Sequence, residues 1–211
     1  MLKAVQKRGM IIMTFKQLNS KVKNGNIVFF GSSYLAGFPV AELAKMYGLD
    51  EEIYNRSIAN LTMDQVQSYL NLCVLDFMPG KVFLNIGEED IKIGGFNMDN
   101  FISKYEWLLY TIHTKTKATI YILPVMSSSP MASSLNTALE ELANKYGCKY
   151  IDTIPALTSE RPVLRTFELL KAYLRTHPLN FADAMEAGNN VFFDNNNSMT
   201  NPTLAGSHAL S

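Results

Sequence analysis

Five short runs of β-forming residues recur along the chain with helical periodicity between them, and this alternation constrains the fold more than any other feature. The first run, Ile27-Val28-Phe29-Phe30, follows the turn signal Asn24-Gly25 and is continuously apolar, as a strand buried on both faces should be. The others are Ile53-Tyr54-Asn55, residues 82–86 after Pro79-Gly80, residues 119–123 closed by Pro124, and residues 149–152. Between them Phe101, Tyr105, Leu108 and Ile112 recur at helical spacing behind Asp99, a suitable N-cap. Leu135, Ala138, Leu139, Leu142 and Tyr146 repeat the pattern and stop at Gly147, a helix-ending glycine. Residues 66–74 and 167–174 read as further helices. The pattern predicts a three-layer α/β/α domain with a flavodoxin-like, five-stranded parallel sheet. Residues 1–23 read as an N-terminal extension with a leading helix, and 24–211 as one domain. The one polar, low-complexity tract is "DNNNSMTN" at 194–201.

Charge narrows the choice of partners. Nineteen basic and nineteen acidic side chains cancel, so the sequence carries no global footprint for nucleic acid or an anionic membrane. Apolar runs fall short of the roughly 20 residues that a spanning helix needs. The opening "MLKAVQKRGMIIM" is basic, but no small-residue cleavage site follows, and Met10 and Met13 stand as alternative initiators. Cys73 and Cys148 are isolated in sequence, which fits neither a disulfide framework nor a metal knuckle and points to a reducing cytoplasm. No cofactor or metal is expected. A small-molecule ligand or an ester substrate fits such a domain, and self-association is compatible with it.

In an open parallel α/β sheet, ligands bind beyond the carboxyl ends of the strands. The residues to question are therefore Gly31-Ser32-Ser33, 56–60, 87–90 and 127–129. In this order they resemble the blocks of the SGNH (GDSL-type) esterase and acylhydrolase superfamily, over roughly residues 24–208. The family's "GDSxxxG" block reads Gly31-Ser32-Ser33-Tyr34-Leu35-Ala36-Gly37, which puts Ser33 at the nucleophile position and Ser32 at the aspartate. Its second block reads Asn55-Arg56-Ser57-Ile58-Ala59-Asn60-Leu61-Thr62, with Asn60 where a glycine would donate its N–H to an oxyanion. The "G-x-N-D" block reads Gly87-Glu88-Glu89-Asp90, so Glu89 replaces the asparagine that completes the oxyanion hole. The last block is matched by residues 198–206, where Ser198 and Asn201 stand at the positions of the catalytic aspartate and histidine. A register anchored on Asp194 puts Asn197 at the histidine position and recovers no base either.

A serine hydroxyl needs an adjacent base to attack near neutral pH. His113 lies late in a helix beside Lys115 and Lys117, and His177 precedes Pro178 in a connection. His208 lies seven residues past Asn201, about 10 Å along a continuing helix and out of direct reach of Ser33. An ionised Glu89 would repel a developing oxyanion. Glu88-Glu89-Asp90 reads as a solvated or capping cluster rather than a hard-cation site, because three consecutive side chains seldom converge on one ion. Ser32-Ser33 could equally be a tight strand-to-helix turn.

Three readings follow. The chain is an SGNH-type relative that keeps a pocket for a small ligand or carbohydrate ester without conventional esterase machinery. Alternatively it is an O-acyl ester hydrolase that uses Ser33 with an unconventional base, Glu89 or His208. Or it is a scaffold whose segment 160–190 binds a protein partner, with Trp107 available at an interface.

Overall fold

The computed structural model describes residues 15–20, 22 and 25–175. Contacts group residues 1–174 into one compact unit and 175–211 into another, and the account below concerns the first. Five parallel strands are ordered β2-β1-β3-β4-β5: β1 (Ile27–Gly31), β2 (Ile53–Asn55), β3 (Lys81–Asn85), β4 (Thr119–Ile122) and β5 (Lys149–Tyr150). The helices are α1 (Ser33–Ala36), α2 (Val40–Met46), α3 (Met63–Cys73), α4 (Met98–Lys115), α5 (Pro130–Tyr146) and α6 (Pro162–Leu174). This is the expected doubly wound sheet.

The continuous apolar character of the central strands has a direct structural cause. Side chains alternate across a strand, so a strand covered on both sides needs apolar residues at every position. Val28, Phe30, Val82, Leu84, Ile120 and Ile122 pack on one face with α3, α4 and α5. Ile27, Phe29, Phe83 and Tyr121 pack on the other with α1, α2 and α6. On that second face Phe83 stacks between Phe29 and Tyr121, with ring centroids 4.5 Å apart on each side.

Element ends differ from expectation in informative ways. The N-cap of α4 is Asn97, whose side chain accepts the Asn100 N–H, and not Asp99, which sits inside the first turn. Both residue types cap well, and the local turn after Gly95 selects the earlier one. Helix α3 starts at Met63, three residues before the expected point, and α6 starts at Pro162. Within segment 160–190, Phe167, Leu170 and Leu174 of α6 are buried in the second core, so this helix spends its apolar face on the sheet. Residues 176–190 of the segment lie outside the described residues. Trp107 is partly exposed on α4. Among the described residues, no helix is long and apolar enough to cross a membrane.

Arg56, just past β2, is buried and surrounded by rings: its guanidinium carbon lies 5.4 Å from the Phe15 and Tyr54 centroids and 5.0 Å from Phe77. It also donates to Asn19 Oδ1 at 3.2 Å, which ties the short helical turn at 15–19 to the sheet edge. The free cysteines are passive by comparison, because burial pushes the Cys73 thiol up to about 12 and Cys148 up to about 11.

The three-ring stack makes Phe83 the most sensitive core position. Phe83→Ala should lower the unfolding free energy by about 3–5 kcal/mol. Urea denaturation should show this as a lower midpoint with an unchanged slope.

Candidate functional site

The site begins where β1 ends. A Cβ on Gly31 would overlap the Asn85 carbonyl oxygen at the end of β3, so only glycine permits this close approach. The Ser32 N–H then donates to that carbonyl at 2.9 Å, extending the β1–β3 pairing one residue past the strand. The Asn85 side chain donates to the Pro124 carbonyl at 2.6 Å and carries the tie across to β4. Ser32 is fully buried, with its hydroxyl enclosed, so it lies behind the site and not on its surface. The next residue, Ser33, opens α1 at the carboxyl edge of the sheet.

The loop after β2 is drawn to the same place by backbone bonds from the Arg56 N–H to the Phe29 carbonyl (2.8 Å) and from the Ile58 N–H to the Gly31 carbonyl (2.9 Å). Asn55 reinforces it by donating to the Leu35 and Phe38 carbonyls and accepting the Ser57 N–H. Asn60 sits in that loop at φ 61°, a left-handed conformation that asparagine tolerates better than most residues. Its backbone N–H donates to Ser33 Oγ at 2.9 Å.

The third loop supplies carboxylates. Ser33 Oγ donates to Glu89 Oε1 at 2.6 Å, a short bond of the charge-assisted kind. Glu89 Oε2 makes no hydrogen bond among the described residues and is not shut off from solvent. Glu88 Oε2 accepts the Tyr34 N–H at 3.3 Å, on the first turn of α1. Lys92 Nζ reaches Glu88 Oε1 at 2.9 Å and Glu89 Oε1 at 3.3 Å, and these bonds, chiefly that to Glu88, raise its pKa. Lys92 is half-exposed, so the pairs serve more to set geometry than to add stability. Gly87 lies beneath, at φ 128°, and a Cβ there would press on Leu135, Val125 and Phe101.

Asp90 turns away from its two neighbours. It is 7% exposed, and its Oδ1 accepts the Met63 N–H at 2.9 Å at the start of α3. Burial pushes its carboxyl up to about 6, against the pull of that N–H and assisted by nearby Asp64 and Glu89. The three acidic residues thus have three different tasks and do not converge on one point.

Beside the carboxylates lies a cavity of about 650 Å³. Glu88 and Lys92 form one wall, Ser127, Ser128 and Ser129 after β4 another, and Ile91, Met126, Leu157 and Thr158 complete it. Sequence position alone pointed to 127–129, but Lys92 and Tyr34 were not anticipated. The signal for Lys92 was its spacing of three and four residues from Glu89 and Glu88 on a helical turn.

Structure thus brings together Ser33, Asn60 and Glu89. Ser198, Asn201, His208 and His177 lie outside the described residues, so their expected places are not addressed by the geometry. His113 is exposed in the last turn of α4, the helix that leads into the amino end of β4, at the opposite edge of the sheet from Ser33.

No protein-family model matches the sequence, and no curated protein does. Solved structures do. A protein from Streptococcus pneumonia, provisionally described as a platelet activating factor, superposes with a TM-score of 0.69 at 19% identity, covering 81% of this chain and 94% of its own. A GDSL-like lipase from Bacteroides thetaiotaomicron gives 0.60 at 16% identity, covering 87% and 95%. Axe2, an acetylxylan esterase from Geobacillus stearothermophilus, gives 0.57 at 14% identity, covering 74% and 95%. At such identities the likeness is one of fold: the chain has the three-layer architecture of the SGNH hydrolases.

The displaced titration of Asp90 has a measurable consequence. Its folded-state pKa lies above the ordinary 3.8, so between that value and about 6 the folded protein holds more protons than the unfolded chain. Stability should therefore fall as pH rises through this window and stay lower above it. Asp90→Asn, which keeps an acceptor for the Met63 N–H, should flatten that decline and leave stability below the window unchanged. Urea midpoints measured across the window for both proteins would read this directly.

Proposed function

We propose that this SGNH-fold protein binds a small ligand at the carboxyl edge of its sheet and does not carry out conventional ester hydrolysis. The observation that supports this reading is the 2.6 Å hydrogen bond from Ser33 Oγ to Glu89 Oε1. Acyl transfer by a serine needs donors aimed at the oxygen where negative charge develops. Here a carboxylate stands beside the nucleophile position instead, and the Asn60 N–H is already committed to Ser33 Oγ. Losing one such donor costs about 100- to 1,000-fold in kcat, and a carboxylate in its place opposes the charge outright.

The sequence adds to this. Ser198 and Asn201 occupy the positions that the resemblance assigns to the acid and base, and neither side chain can serve as a general base at neutral pH. Loss of the histidine from a serine triad costs about a millionfold in kcat in a well-studied serine protease. Ser33 on this view is a hydrogen-bonding hub that links the loops after β1, β2 and β3.

A second reading rests on the same bond seen differently. A hydroxyl donating to a carboxylate has the geometry of a nucleophile and its base, so Glu89 could draw the Ser33 proton in an O-acyl ester hydrolase. Against it, Lys92 shares the same Oε1 and weakens it as an acceptor, and the Asn60 N–H that could face an oxyanion is spent on Ser33 Oγ.

Turnover of p-nitrophenyl acetate separates the two. Under the binding reading, wild type and Ser33→Ala should give rates that coincide to within about twofold, both set by background acyl transfer to surface groups. Turnover that depends on Ser33 and disappears in Glu89→Gln would establish the hydrolase reading instead.

A further inference from the structure

We infer that the ligand is a neutral polyhydroxylated molecule with free, unesterified hydroxyls, held in the cavity beside Glu88 and Lys92. The inference rests on the binding reading above and specifies the chemistry of the adjoining cavity, whose wall residue Lys92 also pairs with Glu89.

The cavity's lining selects among ligand classes. Its volume of about 650 Å³ suits a small molecule of one or two sugar-sized rings. A long acyl chain would need unbroken apolar walls, and here the apolar surface from Ile91, Met126 and Leu157 is interrupted by Glu88, Lys92 and the three serines. That surface is enough to lie against the C–H face of a ring or polyol backbone. An anion would meet the Glu88 carboxylate and, next to it, Glu89, with the single charge of Lys92 between them. An acyl carbonyl can only accept, so it could meet Lys92 or a serine hydroxyl but would leave the Glu88 carboxylate without a donor from the ligand.

A free hydroxyl is both donor and acceptor, and the walls offer both partners. Glu88 accepts. Glu89 Oε2 makes no hydrogen bond among the described residues and stands open at the neighbouring position. Ser127 Oγ accepts the Ser129 N–H and Ser129 Oγ accepts the Ala132 N–H, so neither hydroxyl hydrogen is committed. The Ser128 hydroxyl makes no hydrogen bond among the described residues and is exposed. Glu88, Ser127 and Ser129 are half-buried, and a ligand that covers them is favoured if it pairs them and penalised if it leaves them unpaired. The carboxylate wall formed by Glu88 is therefore the reverse of an oxyanion site: it rewards a group that gives a hydrogen bond.

The test uses the full chain and ligand-observed saturation-transfer NMR. The probes are xylose, glucose, cellobiose, sorbitol and myo-inositol, each beside its fully O-acetylated form. At least one free polyol should bind with a Kd of about 1 mM or tighter, while its acetylated form binds at least tenfold more weakly. Glu88→Gln, which keeps an oxygen for the Tyr34 N–H, and Ser128→Leu, which fills the cavity from an exposed position, should each weaken binding at least tenfold with melting temperature unchanged. Absence of binding by every free polyol overturns the inference. So does equal binding of the acetylated forms, or binding that survives both variants. Ser33-dependent ester turnover alongside selective polyol binding would overturn the binding-only reading and leave the ligand class standing.

Discussion

The pairing of β1 with β3 carries on one residue past the end of both strands, and the site depends on that extension. Gly31 lets the two backbones approach until the Ser32 N–H meets the Asn85 carbonyl, and the chain must then turn into α1. Because Ser32 is consumed by this contact and buried, Ser33 is the first side chain free to face outward. The loop after β2 is brought to it by backbone bonds to Phe29 and Gly31 of β1, and the loop after β3 meets it and the neighbouring Tyr34 through the Glu89 and Glu88 carboxylates. The candidate site is thus a consequence of sheet geometry, and the strands that carry it are packed through the stacked Phe29, Phe83 and Tyr121 rings.

What that edge presents differs from what the fold commonly supports. The solved structures of similar fold include a lipase and an acetylxylan esterase, yet fold and chemistry are separable: a scaffold places side chains, and the side chains decide the reaction. In this chain a carboxylate accepts a hydrogen bond from the serine hydroxyl, a lysine ties two carboxylates into one frame, and the third carboxyl is withdrawn to hold the start of α3. The resulting surface is rich in hydrogen-bond acceptors at the point where hydrolysis would require donors. The proposed recognition of a ligand's hydroxyl groups would use that polarity without any change in the fold.

Most of the architecture was legible from residue pattern. Continuous apolar runs such as Ile27-Val28-Phe29-Phe30 belong to strands buried on both faces, and Gly147 does end α5 in the left-handed conformation its position suggested. Boundaries were less legible. Asn97 and Asp99 are both competent caps, and the choice between them depends on how the chain leaves Gly95, which no local pattern encodes. The apolar face of α6 could have been an exposed docking surface or a core face; only its packing against Phe29 and Phe83's side of the sheet makes it the latter.

For the site, the order of the blocks placed Ser33, Asn60 and Glu89 at three strand ends, and strand order in a parallel sheet is enough to bring such ends together. That much the sequence determined by itself, because side-chain alternation and crossover handedness leave few alternatives for a βα repeat. Tertiary structure alone decided the rest: that Ser33 Oγ donates a hydrogen bond to Glu89, that Asn60 points its N–H at Ser33 Oγ, that Lys92 bridges Glu88 and Glu89, and that Asp90 turns inward to Met63. Hydrogen-bond direction depends on ångström-scale positions of loops whose course is fixed by contacts with residues tens of positions away. A linear sequence names the groups that could meet; it does not hold the distances that choose among them.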